Sequence, residues 1–404
     1  MATNAPTPPA EPAGLSAADL KRRLDAGEPI RLLDVRDREE YEQWHIDGPT
    51  VTATQVPFTR VLQAKVTGDV DALLAGLESE GEGEGEGEGE GEGPIVTVCA
   101  EGEASEFAAG LLVDHGVEAR NLDGGMEGWA RLYEAHEVPC EAATVVQYQR
   151  PSSGCLSYLV VADGEAAVVD PLRAFADRYV DDAAARDATL RYAVDTHVHA
   201  DHVSGLQRLA AEGVEPVLPA RANERGLAYA VTELDDGTAV TVGDATLTAV
   251  ALPGHTTEMT GFRVGEVLLT GDSLFLESVA RPDLEAGDEG APALARDLHE
   301  TLTDRLATLP DDTLVAPGHY DDRTEPAADG TYTARLGDLR DRLPAFELDT
   351  EAFVDDVTGD IPPRPANFER IIAVNLGRET VAETEAFELE LGPNNCAATP
   401  LENV

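Results

Sequence analysis

The chain has 404 residues, more than one hydrophobic core ordinarily organises, so two or three domains are expected. Apolar residues make up 42%, enough for buried cores, yet no apolar run approaches the ~20 residues of a membrane-spanning helix. Against 29 basic side chains stand 78 acidic ones, a net charge of −49, which excludes nucleic acid and anionic membrane surfaces as partners because like charges repel.

Residues 1–14 are rich in proline and alanine and read as a disordered tail. From 15 to 138 helix and strand patterns alternate. Ser16 caps a helix over 16–27 that places Leu20 and Leu24 on one face, and Gly27 stops it. A buried strand follows over 30–36, a second over 94–98, and a helix over 106–116. Such alternation implies an α/β domain with a parallel sheet and crossover helices. Seven consecutive Glu-Gly dipeptides over 80–93 interrupt the pattern, and glycine entropy with carboxylate repulsion predicts a solvated, disordered insertion.

Near Cys140 the composition shifts. Over 140–340 short strands dominate, beginning with 155–162 and 165–170 around the hairpin signal Asp163-Gly164. Further strands are expected at 190–196, across 238–254 and 261–272, and before His319, with a helix over 291–308. Residues 341–404 form an irregular C-terminal extension with one helix over 366–377, whose Phe368, Ile371 and Ile372 are expected to bury against the edge of a sheet.

Two places carry chemistry. In VTVCAEGEASEF, Cys99 ends a strand in a loop that opens a helix, where backbone N–H groups favour a thiolate. LLDVRDREEYEQWHIDGP (32–49), the Cys99 loop and RNLDGGMEGW (120–129) resemble, in that order, three motifs of the rhodanese (sulfurtransferase) family. The resemblance implies helices on both faces of the parallel sheet, a persulfide on Cys99, Asp34 and Arg36 organising the domain, and Gly124-Gly125-Met126 packing beside the loop. The loop lacks the family's usual arginine and carries Glu101 and Glu103, which oppose an anionic donor such as thiosulfate.

The second place gathers five of the nine histidines into THVHADH (His197, His199, Asp201, His202), PGHTTE (His255) and PGHYD (His319), with LTGDS (Asp272) between the last two. His45, His115, His136 and His299 stand outside these motifs and read as ordinary hydrogen-bonding side chains. Imidazoles with carboxylates suit zinc, iron or manganese. The set resembles the metallo-β-lactamase fold, an αβ/βα sandwich, and most closely its persulfide dioxygenase branch near glyoxalase II. That resemblance implies one Fe(II) per chain on His197, His255 and Asp272. His199, Asp201, His202 and His319 then orient the ligands or build a second metal site, with Zn(II) or a dinuclear centre as the alternative cofactor. It also suggests Arg281 and Tyr320 as substrate contacts. Cys396 reads as structural, and Cys140 and Cys155 as linker and core residues.

The expected function is oxidation of a low-molecular-weight thiol persulfide by O₂ to sulfite, coupled to sulfur transfer at Cys99. The alternatives are a dinuclear thioester hydrolase of the glyoxalase II (hydroxyacylglutathione hydrolase) type and a non-enzymatic sulfur relay. The expected partners are the persulfide and O₂, with no nucleic acid and no membrane; a homodimer stays open. Four cysteines and a start without a basic, apolar leader point to a cytoplasmic location. The acidic surface, with Lys21 and Lys65 the only lysines, resembles cytoplasmic proteins of salt-loving archaea. Self-repulsion at −49 predicts that the melting temperature rises steeply between ~0.1 M and ~2 M KCl, as screening shortens. A scan of thermal unfolding against salt checks this, and an unchanged midpoint contradicts it.

Overall fold

A computed structural model of the chain describes residues 10–70, 93–321, 323–359 and 361–398. Apart from Gly93, the Glu-Gly run lies outside them. Two units are compact, Met1–Leu132 and Tyr133–Val404.

The first unit is a five-stranded, all-parallel sheet. Its strands are β1 (Ala13–Leu15), β2 (Ile30–Asp34), β3 (Val51–Gln55), β4 (Ile95–Val98) and β5 (Ala119–Leu122), in the order β1-β5-β4-β2-β3. Alternating side chains serve opposite faces: Ile30, Leu32, Val96 and Val98 join one core, Leu33 and Ile95 the other. Burial on both faces explains why these strands read as continuous apolar runs. Ser16 caps helix Ala17–Asp25 by accepting from Asp19 N at 3.1 Å, as the sequence predicts. Residues 1–9 of the expected tail lie outside the described residues, and Ala13 and Gly14, expected within it, pair with Arg120 and Asn121 at the sheet edge.

The second unit packs two mixed sheets face to face. The first contains β6 (Glu134–Val138), β7 (Thr144–Arg150), β8 (Cys155–Ala162), β9 (Glu165–Val169), β10 (Thr189–Val194), β11 (Glu215–Pro219) and β12 (Thr232–Leu234), in sequential order. The second contains β13 (Ala239–Val242), β14 (Ala245–Ala251), β15 (Thr260–Val264), β16 (Val267–Gly271), β17 (Leu314–Pro317) and β18 (Ala334–Arg335), again sequentially. Leu156, Tyr158 and Val160 of one sheet and Phe262, Val264 and Leu269 of the other share one core. Val146, Leu159 and Val168 turn outward beneath helices Ala176–Ala184 and Leu206–Ala210. The β8–β9 hairpin turns at Asp163 and Gly164, both at positive φ (40° and 77°), as the Asp-Gly signal requires. The domain boundary expected at 138 falls earlier, since β6 pairs with β7 and completes the second unit's sheet.

The C-terminal segment is more ordered than its sequence suggests. Helices Thr350–Gly359 and Glu383–Leu389 join Phe368–Asn375, and Phe353, Val354 and Val357 enter the sandwich core. Ile371 packs against Val203, and Phe368 and Ile372 against Ala200, so this helix covers the histidine loop rather than a sheet edge. Asn375 Nδ2 donates to the carbonyls of His199 (3.0 Å) and His202 (2.9 Å), and its Oδ1 accepts from Ser204 N (2.9 Å). Because Phe353 is fully buried, Phe353→Ala is expected to cost about 3–5 kcal/mol of unfolding free energy, read by denaturant titration.

Candidate metal centre and thiol site

In the first unit Cys99 follows β4 directly, and helix Glu103–Asp114 starts three residues before the expected 106. The loop is therefore only four residues, Cys99–Gly102. Gly102 turns it at φ 97°, where a Cβ would meet Gly124 N at 3.1 Å. Three donors converge on Cys99 Sγ: Gly102 N (3.1 Å), Ser105 N (3.4 Å) and Ser105 Oγ (3.2 Å). Ser105 was not singled out in the sequence; its place one turn into the helix is the signal that finds it. Met126 N donates to Cys99 O at 2.8 Å, and a Cβ on Gly125 would strike that oxygen, so the Gly-Gly-Met turn packs on the loop as expected. The Arg36 guanidinium grips the buried Asp34 carboxylate at 2.6 Å and donates to Trp44 O. Glu101 and Glu103 are exposed.

In the second unit the motif residues converge at the C-terminal ends of strands. His197–His202 follow β10, Asp272 follows β16, His319 follows β17, and His255 lies between β14 and β15. β16 and β17 are parallel neighbours, which sets Asp272 beside His319. Gly318 permits that approach, because a Cβ there would sit 2.4 Å from Asp272 Oδ1.

Donor atoms of His197, His255 and Asp272 lie within 4.8 Å of one another, all buried. Asp272 Oδ2 is 3.9 Å from His197 Nε2 and 3.7 Å from His255 Nε2, separations that would suit three ligands of one ion. Partners set the ring tautomers. His255 Nδ1 donates to Arg281 O at 2.8 Å; His197 Nδ1 donates to Thr196 Oγ1 at 2.9 Å, which in turn donates to Asp170 Oδ2. Both Nε2 atoms are left with a lone pair toward Asp272. Burial, with His199 alongside, pushes His197 well below the usual histidine range, and burial lowers His255, so both rings stay in the neutral form that binds metals.

His319 spans two carboxylates, with Nδ1 2.8 Å from Asp272 Oδ1 and Nε2 2.9 Å from Asp201 Oδ2. Burial works against its charge, but Asp272 and Asp201 outweigh it and raise His319 well above the ordinary range. Both carboxylates are lowered in return, against their own burial: Asp201 by His202 and His319, Asp272 chiefly by His319. His199 Nε2 is 3.0 Å from Asp170 Oδ1, and His202 Nδ1 is 3.1 Å from Asp201 Oδ2. Among the expected ligand residues, buried atoms without a hydrogen-bond partner are His197 Nε2, His199 Nδ1, Asp201 Oδ1, His202 Nε2 and Asp272 Oδ2. Such atoms are costly to bury unless a cation meets them, so the residues fit a metal.

Arg281, expected from the sequence as a substrate contact, is fully buried. Its guanidinium binds Asp283 through two bonds (2.7 and 3.0 Å) and donates to the carbonyls of Pro363 and Asn395, while its own carbonyl orients His255. Tyr320 stacks on Tyr332, ring centroids 3.7 Å apart. Sequence reading missed two thiols at the centre. Cys155 Sγ lies 3.3 Å from Asp201 Oδ2 and groups with Asp201, His202 and His319, and Cys396 groups with Asp272 and His319. Cys155 arrives by strand register, facing His319 across a β-bridge, which no local motif encodes.

A rhodanese-like domain model matches residues 16–132, and the metallo-beta-lactamase superfamily model matches 151–319. The chain carries a rhodanese-like domain followed by a metallo-beta-lactamase domain. The metallo-β-lactamase domain is similar to the human mitochondrial persulfide dioxygenase ETHE1, 28% identical over 217 residues, 52% of this chain and 78% of that protein. The crystal structure of ETHE1 from Myxococcus xanthus is 27% identical with a TM-score of 0.51, covering 58% of this chain and 98% of the other. A hydroxyacylglutathione hydrolase from Parasynechococcus marenigrum is 32% identical over 171 residues, 40% of this chain and 64% of its own.

Asp195, buried beside this centre, is raised to about 7 by desolvation. An unfolded carboxyl ionises near ~3.9, so between there and about 7 the native state holds a proton that the unfolded state has lost, and stability falls as pH rises. Asp195→Asn is expected to remove that fall, melting above wild type at pH ~8 with the gap closing toward pH ~5. Parallel pH profiles of the two proteins would refute this.

Proposed function

We propose that the second unit is an iron-dependent persulfide dioxygenase acting on a small thiol persulfide: RSSH + O₂ + H₂O → RSH + SO₃²⁻ + 2H⁺. The observation that carries this reading is the buried His197, His255 and Asp272 triad, in a domain similar to persulfide dioxygenases. His197, His255 and Asp272 would hold the iron, which when bound would supply activation of the persulfide sulfur and O₂. The chain's own residues prepare that site. Arg281 O and Thr196 Oγ1 fix the two imidazoles, and His319 occupies Asp272 Oδ1, which leaves Oδ2 to hold a metal. Burial of all three donors keeps bulk water from the reacting sulfur.

In the first unit we assign Cys99 as a sulfane-sulfur carrier. Its thiolate attacks the outer sulfur of a persulfide RSSH, the donor's S–S bond breaks, the departing thiolate takes up the persulfide proton and leaves as RSH, and Cys99 keeps the new disulfanide. The amides of Gly102 and Ser105 receive that negative charge. Glu101 and Glu103 disfavour thiosulfate, so the preferred donor is a thiol persulfide. Joining both activities in one chain raises the effective concentration of each for the other's product. The acidic composition supports work in a salt-rich cytoplasm.

The Cys155, Asp201, His202 and His319 group supports one rival, a two-metal thioester hydrolase like the similar hydrolase from Parasynechococcus marenigrum. Metal analysis of anaerobically purified protein with an oxygen-electrode assay separates them. One iron per chain and persulfide-dependent O₂ uptake are expected, with uptake lost in His255→Ala and Asp272→Ala and reduced ~10–100-fold in His319→Ala. Two metals per chain and thioester hydrolysis without O₂ uptake would establish the rival. Cys99→Ser is expected to leave O₂ uptake intact and abolish single-turnover transfer of labelled sulfane sulfur; transfer at the wild-type rate would make the first unit a scaffold.

A further inference from the structure

Glu258, three residues after His255, is a buried carboxylate that reaches into the histidine loop. Its Oε1 accepts from Val198 N at 3.0 Å and from Arg225 Nη1 at 2.6 Å, and Oε2 is buried without a partner. Val198 is the residue between His197 and His199. A second tie runs alongside: Thr260 N donates to Thr196 O at 3.0 Å. His197 is therefore bracketed, one residue to each side, by bonds to the segment that carries His255. Arg225, nearly buried, supplies the countercharge without which a carboxylate in this interior would be very costly.

We infer that Glu258 is a positioning residue that fixes the separation of His197 and His255, with Arg225 holding it in place. The two histidines come from different strands, β10 in one sheet and the β14–β15 connection in the other, so nothing in either strand sets their spacing. An ion about 2.1 Å from each nitrogen tolerates only a few tenths of an ångström of error. The carboxylate is long enough to cross from one loop to the other, and Arg225 anchors its far side against the short helical turn Ala220–Arg225. The inference rests on the reading that His197, His255 and Asp272 hold the metal, and it goes beyond the ligands themselves.

The test must avoid stranding a buried charge, since Glu258→Ala alone leaves Arg225 unpaired and threatens folding. Two charge-neutral double variants differ only in whether Val198 N–H finds an acceptor: Arg225→Met with Glu258→Gln, and Arg225→Met with Glu258→Met. Fe(II) affinity by competition with a chelator, and the electron paramagnetic resonance spectrum of the Fe(II)–nitric oxide adduct, are measured for both and for wild type. The Gln variant is expected to bind Fe(II) near the wild-type strength with an unchanged spectrum, and the Met variant ~10–100-fold more weakly with an altered rhombicity. Equal affinity and equal spectra in the two doubles would overturn the inference while leaving the metal site standing. Failure of wild type and both doubles alike to bind Fe(II) would overturn the metal assignment on which the inference stands, a result distinguishable from the first.

Discussion

An ionised carboxylate in a dry interior needs cations, and the second unit is organised around supplying them. Asp201 and Asp272 are buried together, close enough to share His319, and two negative charges so placed would repel one another strongly. His319 between them and His202 at Asp201, both raised by these carboxylates, offset part of that charge, and a metal ion at Asp272 Oδ2 would offset more of it. The two lowered carboxylates and two raised imidazoles are one electrostatic arrangement seen from its members.

That arrangement constrains the chain around it. Gly318 has no side chain because Asp272 stands where a Cβ would be, and Gly271, at φ 50°, lies against Thr196 and Met259. The C-terminal segment contributes too. Glu390 makes a buried ion pair with Arg150 at 2.8 Å and accepts from Val203 N, so a residue nearly two hundred positions downstream steadies the end of the histidine loop. With Asn375 holding the carbonyls of His199 and His202, the extension is a structural part of the centre.

The two chemical sites use opposite devices. Around the metal the interior is densely charged and balanced pair by pair. Around Cys99 the groups reaching the sulfur are two amides and a hydroxyl, dipoles rather than ions. Dipoles fixed by a tight loop can receive negative charge on a transferred sulfur without drawing in every anion, and the exposed Glu101 and Glu103 add a bias against anionic donors.

The sequence alone determined the kind of fold and the principal ligand candidates. Strands buried on both faces read as apolar runs, and glycine and Asp-Gly turns mark their ends. Histidines and aspartates cluster in short loops because ligand loops follow strand ends, so THVHADH, PGHTTE, LTGDS and PGHYD were legible locally. Tertiary structure decided what depends on contacts between distant segments. Cys155 meets Asp201 through the register of β8 with the His319 segment, Arg281 turns to Asp283, and Asn375 and Glu390 reach the histidine loop from the far end of the chain. Glu258 stood within a recognised motif, yet its role depends on Val198 and Arg225, distant in sequence and brought near only by sheet packing. Local pattern reports which residues can bind or bend; which of them meet is set by how the sheets pack, and no single segment carries that information.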